Sequence, residues 1–125
     1  MKFETGVSIA EQYVQHLNAN PSAVIICNDL MAMGFIDYSR KNGIKIPEQL
    51  SVISFDNIVY SGLYGMEMTT VDQHLQEMCI CAAKTLLQQI EAPDNTEILR
   101  TMIEPTLVVR GTTAQYTPEA PLTES

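Results

Sequence analysis

The sequence predicts an α/β fold built around a parallel sheet, and three observations lead to this prediction. Apolar residues recur at helical spacing in three segments, residues 6–17, 30–42 and 74–91. Two short continuous apolar runs, at 23–27 and 50–55, lie between turn signals, which is typical of strands in a parallel sheet. Helical and strand patterns also alternate along the first half of the chain, as they do in α/β proteins.

The first helix and strand should pack together as a covering helix and a buried strand. The apolar residues of the segment 6–17 fall on one stripe, and the turn residues up to Pro21 should end the helix. The run at 23–27 carries almost no polar side chain, so we expect a strand that is buried on both faces.

The second helix, predicted at 30–42, has clear signals at both ends. Asn28 and Asp29 precede it, and both residue types are good N-terminal caps. Gly43 follows it, as expected just beyond a helix C-terminus. The strand at 50–55 comes next along the chain.

The clearest helical pattern in the sequence covers residues 74–91, and its apolar stripe must pack on something. Around it we expect shorter and less regular elements. These are a loop at 58–68 with one helical turn, a strand at 69–71, two β-like pieces at 98–104 and 107–110 split by Pro105, and a flexible tail at 115–125.

The charge distribution argues against direct contact with DNA. The chain has seven Lys plus Arg against fifteen Asp plus Glu, a net charge of −8, and the basic residues are scattered. A phosphate backbone requires clustered positive charge, so we do not expect this chain to bind DNA by itself. No apolar run approaches the ~20 residues of a membrane span, and no cationic leader is present. A soluble, cytoplasmic protein with no membrane partner is the expectation.

The sequence contains no pattern of a metal centre or a catalytic nucleophile. Cys27, Cys79 and Cys81 should be reduced and largely buried, because their spacing suits neither a disulfide nor a metal site. His16 and His74 are far apart, and no H-E-x-x-H, C-x-x-C, G-x-S-x-G or glycine-rich phosphate loop occurs. We therefore expect no enzyme activity, no metal and no cofactor.

Polar residues directly follow both predicted strands of the first half. Asn28 follows the strand at 23–27, and Asp56 follows the strand at 50–55. The carboxyl ends of parallel strands open at the same edge of the sheet, where ligands bind. A carboxylate beside an amide matches the hydrogen-bonding needs of a sugar or another polyol. Asn and Asp also cap helices and form turns, and that alternative stays open.

Five short motifs stand in order along roughly residues 5–114. They are N-D-L-M-A-M-G at 28–34, G-I-K-I-P-E-Q-L-S-V at 43–52, S-F-D-N at 54–57, T-T-V-D-Q at 69–73 and L-V-V-R-G-T-T at 107–113. In this order and at these spacings they resemble the carboxy-terminal part of the effector-binding core of LacI/GalR (lactose repressor) family transcription regulators.

The resemblance implies a periplasmic-binding-protein-like, doubly wound parallel sheet of which residues 1–114 form a part. This part would be the carboxy-terminal lobe plus a helix, at 74–91, that crosses the hinge to cover the amino-terminal lobe. Most of that lobe and the DNA-binding helix-turn-helix would be absent from this chain. The implied protein is a homodimer that senses a sugar or similar small effector and couples it to operator DNA. The implied effector contacts are Asn28, Asp56 and Gln73.

Two departures from the family pattern stand beside the implied site. Ser54 occupies a position where glycine is usual, and Asn57 occupies one where a second aspartate is usual. The residues before T-T-V are also not the common prolines, so the loop at 58–68 can follow its own path. This leaves open whether the loop supplies aromatic walls to the pocket through Tyr60 and Tyr64.

A sugar-binding protein of an ABC transporter is the main alternative, because it shares the fold. The motifs at 28–34 and 69–73 favour the regulator. The resemblance also places the partner of the 74–91 helix outside this chain, so its apolar stripe should face water. We therefore expect the isolated chain to self-associate.

Overall fold

The computed structural model describes residues 2–16, 21–94 and 98–117. The elements follow the predicted order closely, and the one helical turn expected in the loop at 58–68 is a 3-10 turn at Val59–Gly62. In chain order the others are α1 (Phe3–Gln15), β1 (Ala23–Ile25), α2 (Asp29–Lys41), β2 (Ser51–Phe55), β3 (Thr69–Asp72), α3 (Leu75–Glu91) and β4 (Thr106–Val108).

The described strands form one sheet in the order β1-β2-β3-β4. The first three strands are parallel, and β4 runs antiparallel to β3. Val24 lies opposite Val52, and Ser54 lies opposite Thr70. The carboxyl ends of β1, β2 and β3 therefore open at one edge of the sheet, which confirms the α/β prediction and the parallel arrangement.

The core lies between one face of this sheet and the helices α1 and α2. Burial alternates along β2, so that Val52 and Ser54 face the helices while their neighbours are only half-buried. The buried apolar cluster joins both helices to the sheet and consists of Ala10, Ile26, Met31, Ala32, Phe35, Ile36, Ile44, Ile46, Leu50, Val52 and Met68.

Two glycines let α1 and α2 approach until their backbones touch. A Cβ atom added at Gly6 would lie 1.8 Å from the carbonyl oxygen of Met31. A Cβ added at Gly34 would lie 2.1 Å from the carbonyl oxygen of Phe3. Neither oxygen belongs to a side chain that could move aside, so both positions require glycine.

The expectation that β1 is buried on both faces was wrong. Ile25 is 71% exposed, whereas Val24 packs against the core. The reason is that the described residues cover only one face of β1, the face toward the helices. An unbroken apolar run cannot reveal whether the second face has a cover.

Helix α3 contains no buried residue in this chain, as expected for a helix whose partner lies elsewhere. Its large apolar residues are about half exposed, with Leu86 at 58%. Residues 98–104, expected to be β-like, form no strand. They run beside α3 instead, where Leu99, Thr101 and Ile103 line a groove with the helix.

The expectation that the three cysteines are largely buried was wrong. Cys27 and Cys79 are exposed, and Cys81 is half-buried. Cys27 follows the edge strand, and the other two lie on the uncovered helix α3. In the part of the chain that the structure describes, no His, Cys, Asp and Glu side chains cluster as a metal site, and no helix is long and apolar enough to cross a membrane.

The segment after β4 holds the amino-terminal ends of β2 and β3 together. Thr112 is buried, and its hydroxyl donates to the carbonyl oxygen of Val52 at 2.7 Å and accepts from the backbone N–H of Thr69 at 2.9 Å. Arg110 donates to the carbonyl oxygen of Met68 at 2.8 Å. The predicted tail at 115–125 lies outside the described residues from 118 onward, as do residues 17–20 near the end of the first helix.

Candidate functional site

Asn28, the first predicted site residue, is the N-cap of α2. Its side-chain oxygen Oδ1 accepts from the backbone N–H of Met31 at 2.9 Å. The capping alternative is therefore correct for this oxygen. The amide Nδ2 has no hydrogen-bond acceptor among the described residues, and Asn28 is only half-buried, so the amide group retains a donor for a ligand.

Asp29, the next residue, is fully buried and links three segments of the chain. Its carboxylate accepts from the hydroxyls of Ser54 and Thr70, the latter at 2.7 Å. The other oxygen accepts from the backbone N–H of Ile58 at 2.8 Å. A buried carboxylate without a cation requires such donors. Ser54, which stands where glycine is usual in the family, therefore supplies one of the three.

Asp56 stands directly after β2 with its backbone in the left-handed region, at φ 107°. Its backbone N–H donates to the carbonyl oxygen of Val71 at 3.1 Å. Its carboxylate oxygen Oδ1 accepts from Nε2 of Gln73 at 2.9 Å. The structure thus joins two of the three predicted site residues by a hydrogen bond. A positive φ at a non-glycine residue marks a position where local strain is tolerated, often at a functional site.

Desolvation raises the pKa of the Asp56 carboxyl, and the nearby negative charge of Asp29 raises it further. The hydrogen bond from Gln73 acts in the opposite direction and favours the ionised form. A ligand that donates hydrogen bonds to Asp56 would do the same, so the site gains from being occupied by a donor.

Asn57 bridges two charged residues that lie on different segments. Its Nδ2 donates to Oδ2 of Asp72 at 2.9 Å, and its Oδ1 accepts from Nη2 of Arg110 at 2.8 Å. An amide can donate on one side and accept on the other, which an ionised carboxylate cannot do. An aspartate at position 57 would face the carboxylate of Asp72 with another carboxylate. The second departure from the family pattern therefore has a structural reason in this chain.

Asp72, at the end of β3, carries the second carboxylate near this edge. Its Oδ1 accepts from the backbone N–H of His74 at 2.8 Å. This hydrogen bond, together with the one from Asn57, holds the pKa of Asp72 below its usual value. His74 adopts the left-handed conformation at φ 53°, and its Nε2 lies 2.9 Å from the hydroxyl of Thr106. The start of α3 is thereby tied to β4.

A cleft of about 690 Å³ opens beside these groups, between the strand ends and the first turns of α3. Asp56 lines it, whereas Asn28 and Gln73 are not among its lining residues. Tyr60 and Tyr64 are 57% and 99% exposed and do not line it either. The residues that line the cleft are Asp56, Asn57, Ile58, Val59, Asp72, His74, Leu75, Gln76, Glu77 and Ile80.

The structure brings the predicted residues Asp56 and Gln73 together, and Asn28 remains a prediction at the neighbouring strand end. Sequence reasoning did not predict the residues that surround them. Asp29 was considered only as a cap, and neither Asn57 nor Asp72 was considered as part of the site. A signal for Asp29 was available, because a hydroxyl residue occurs in each of the two following strands, Ser54 and Thr70. The bridge made by Asn57 depends on a residue 53 positions later in the chain, and no local pattern announces it.

Comparison with known proteins agrees with this fold. Residues 2–113 match the family model described as a periplasmic binding protein-like domain. The HTH-type transcriptional repressor PurR of Vibrio atlanticus is 34% identical over 109 residues, which are 87% of this chain and 32% of that protein. The ribose operon repressor of Haemophilus influenzae is also 34% identical over 109 residues, 86% of this chain and 32% of that protein.

Two solved structures are similar over almost the whole chain. A LacI family transcriptional regulator from Enterococcus faecium, with bound ribose, has a TM-score of 0.81 at 27% identity and matches 91% of this chain and 41% of its own. A putative transcriptional regulator LacI from Bacillus cereus subsp. cytotoxis has a TM-score of 0.85 at 26% identity, with 93% and 40% matched. The chain therefore spans about a third of the length of the curated relatives and about two fifths of these structures.

Proposed function

Because this chain belongs to the periplasmic binding protein-like domain family, we propose that it is part of the effector-sensing core of a LacI-type transcription regulator. The effector is a sugar or a similar small polyol, and Asn28, Asp56 and Gln73 contact it. The proposal is supported by relatives that are named as transcriptional repressors and by a neighbour that was solved with bound ribose. These relatives are regulators and not enzymes.

The observation on which the proposal rests most heavily is the environment of Asp56. This carboxylate lies in an open cleft at the carboxyl edge of a parallel sheet, in a strained backbone conformation, with one oxygen bonded to Gln73. The other oxygen accepts no hydrogen bond from the described residues. A ligand hydroxyl can donate to that oxygen. The amide of Asn28 follows the neighbouring strand, outside the lining of this cleft, and offers a donor to another ligand oxygen.

The proposed action follows from the two-lobed core that the family resemblance implies for the complete protein. An effector held between two lobes favours the closed arrangement by its difference in affinity for the closed and open forms. Operator affinity would change by the same coupling free energy, in the direction set by the closed form. DNA contact would come from a helix-turn-helix elsewhere in a cytoplasmic homodimer, because this chain is acidic overall.

Substitution of Asp56 tests the proposal on the complete gene product. A thermal-shift panel that contains ribose, cellobiose and sucrose first identifies a binding sugar. For that sugar, Asp56→Ala should weaken binding by about 10- to 150-fold, because a charge-assisted hydrogen bond contributes roughly 1.5–3 kcal/mol. Isothermal titration calorimetry measures the loss. Unchanged affinity in Asp56→Ala would show that Asp56 is not a ligand contact.

Two further variants separate binding from folding. Asn28→Ala should weaken sugar binding less than Asp56→Ala, and it should also lower stability by about 1 kcal/mol because it removes the cap of α2. Asp37→Asn removes a negative charge on the surface of the same helix, where Asp37 pairs only with Lys41. It should leave both affinity and stability unchanged within about 0.5 kcal/mol.

The ABC transporter alternative remains distinguishable by a simple observation. The gene sequence immediately upstream of this chain would encode a helix-turn-helix in a regulator and a signal peptide in a transporter's binding protein.

A further inference from the structure

We propose that Asp72 is a specificity-determining residue of the effector site, and that with Asp56 it makes this wall of the cleft favour uncharged or cationic effectors over anionic ones. The inference rests on the proposed function of the cleft. It adds the chemical class of the effector, because sugars reach a cell both as neutral molecules and as phosphate esters.

The charged groups that line the cleft have almost all one sign. Asp56, Asp72 and Glu77 contribute carboxylates, and no Lys or Arg lines the cleft among the described residues. The only titratable base in the lining is His74, whose ring lies 3.9 Å from the carboxylate of Asp72 and 2.9 Å from the hydroxyl of Thr106. Even a protonated His74 would therefore be paired with Asp72 and not with a ligand.

Arg110, the cation that contacts the lining residue Asn57, is already engaged. Arg110 directs Nη1 to the carbonyl oxygen of Met68 and Nη2 to Oδ1 of Asn57, each at 2.8 Å. Asn57 stands between this guanidinium and the carboxylate of Asp72. A phosphate group in the cleft would meet the carboxylates directly and would find no free cation on this wall.

Asp72 keeps its charge because two donors point at it, one on each oxygen. The backbone N–H of His74 donates to Oδ1 at 2.8 Å, and Nδ2 of Asn57 donates to Oδ2 at 2.9 Å. Both hydrogen bonds favour the ionised form, and the pKa of Asp72 is lowered accordingly. Each oxygen retains further acceptor capacity toward the cleft, which suits a ligand hydroxyl or ammonium group.

The pairing of Asn57 with Asp72 provides a charge-conserving test. In the double variant Asn57→Asp/Asp72→Asn the hydrogen bond between the two positions is reversed but kept. The carboxylate then lies at position 57, which also lines the cleft but stands beside the guanidinium of Arg110, and position 72 becomes neutral. The net charge of the protein does not change, so any effect on ligand charge preference comes from the placement of the charge.

The experiment compares matched sugars on the complete gene product by calorimetry: ribose with ribose 5-phosphate, and glucose with glucosamine and glucose 6-phosphate. For whichever of these sugars binds, the unphosphorylated form should bind at least about tenfold more tightly than its phosphate ester, because like charges at short range repel. The double variant should reduce this ratio by threefold or more, an order-of-magnitude expectation for the partial neutralisation of one charge. Asp37 does not line the cleft and pairs with Lys41 on the helix surface, so Asp37→Asn should leave the ratio unchanged.

The outcomes distinguish this inference from the proposed function. A phosphate ester that binds as tightly as its parent sugar overturns the charge preference and leaves the proposed function intact. A double variant that folds and retains the parental ratio overturns the role of Asp72 alone. If neither the sugars nor their esters bind, the proposed function fails and the inference fails with it.

Discussion

Helices α2 and α3 have similarly amphipathic sequences but opposite surroundings. Most residues on the inner side of α2 are buried, and α2 meets α1 backbone to backbone at Gly6 and Gly34. Helix α3 is the longer of the two, yet none of its residues is buried. Apolar periodicity therefore indicates which side of a helix packs against a partner. It does not indicate which segment or chain supplies that partner.

The largest change in stability is expected from a substitution at the contact between α1 and α2. Gly6→Ala should lower the free energy of unfolding by at least about 4 kcal/mol, because the new Cβ would lie 1.8 Å from the carbonyl oxygen of Met31 and the helices must separate. Without that contact the change would stabilise a helix by ~1 kcal/mol, so even the sign of the effect is informative. Urea unfolding measures it.

Gly62→Ala is the matched control for Gly6→Ala. A Cβ at Gly62 would meet only the side chain of Arg110, at 3.7 Å or more, and Gly62 needs no positive φ. The stability of this variant should remain within about 0.5 kcal/mol of the parent. If Gly6→Ala is equally neutral, the two helices do not touch as described.

A pair of leucine substitutions compares the core between α1, α2 and the sheet with helix α3 directly. Leu50→Ala should cost ~2–5 kcal/mol, because Leu50 is completely buried in the core. Leu86→Ala should cost less than about 0.5 kcal/mol in the isolated chain, because its side chain is 58% exposed. Chemical denaturation of the two variants measures both values.

Measurements at several protein concentrations distinguish the two leucine variants further. If isolated chains self-associate through α3, as the sequence suggests, light scattering should show association that Leu86→Ala weakens and Leu50→Ala does not. A large loss of stability in Leu86→Ala at low concentration, where the chain is monomeric, would mean that α3 packs on its own lobe.

The smallest expected effect concerns the two carboxylates at the border between the lobe and α3. The pKa of Asp56 is raised in the folded protein, so ionisation of Asp56 disfavours folding. The stability that the protonated carboxyl contributes is therefore lost as the pH rises from the ordinary pKa of 3.8 through the folded-state pKa. The pKa of Asp72 is lowered in the folded protein, so the ionised carboxylate stabilises the fold. This stabilisation is present above pH 3.8 and is lost as the pH falls below that value.

The two variants Asp56→Asn and Asp72→Asn should therefore depart from the parent on opposite sides of pH 3.8. Relative to the parent, Asp56→Asn should gain stability as the pH rises above this value. Asp72→Asn should lose relative stability as the pH rises toward it from below. Thermal unfolding between about pH 3 and about pH 7 tests both slopes. Parallel profiles for the two variants would contradict the opposite shifts.

Sequence reasoning predicted the elements that have local signals. Helix α2 was placed within a residue at each end because Asn28 and Gly43 mark its limits, and Gly43 does adopt a positive φ of 85°. The family resemblance implied that Asp56 and Gln73 both contact the effector, and their hydrogen bond to each other is a finding of the structure that the parallel topology explains. The exposure of Ile25 and the path of residues 98–104 could not be predicted, because both depend on which surfaces other segments of the chain cover.

The network around Asp29 has a consequence for how the lobe opens. Its donors Ser54 and Thr70 are 25 and 41 residues away along the chain, and the third donor belongs to the loop after β2. If any one of these segments detached alone, a buried charge would lose a partner in a region that water does not reach. Partly opened forms of this edge are therefore disfavoured, and β2, β3 and the start of α2 should exchange their amide hydrogens as one cooperative unit. Helix α3, which shares none of these bonds, is free to fray independently.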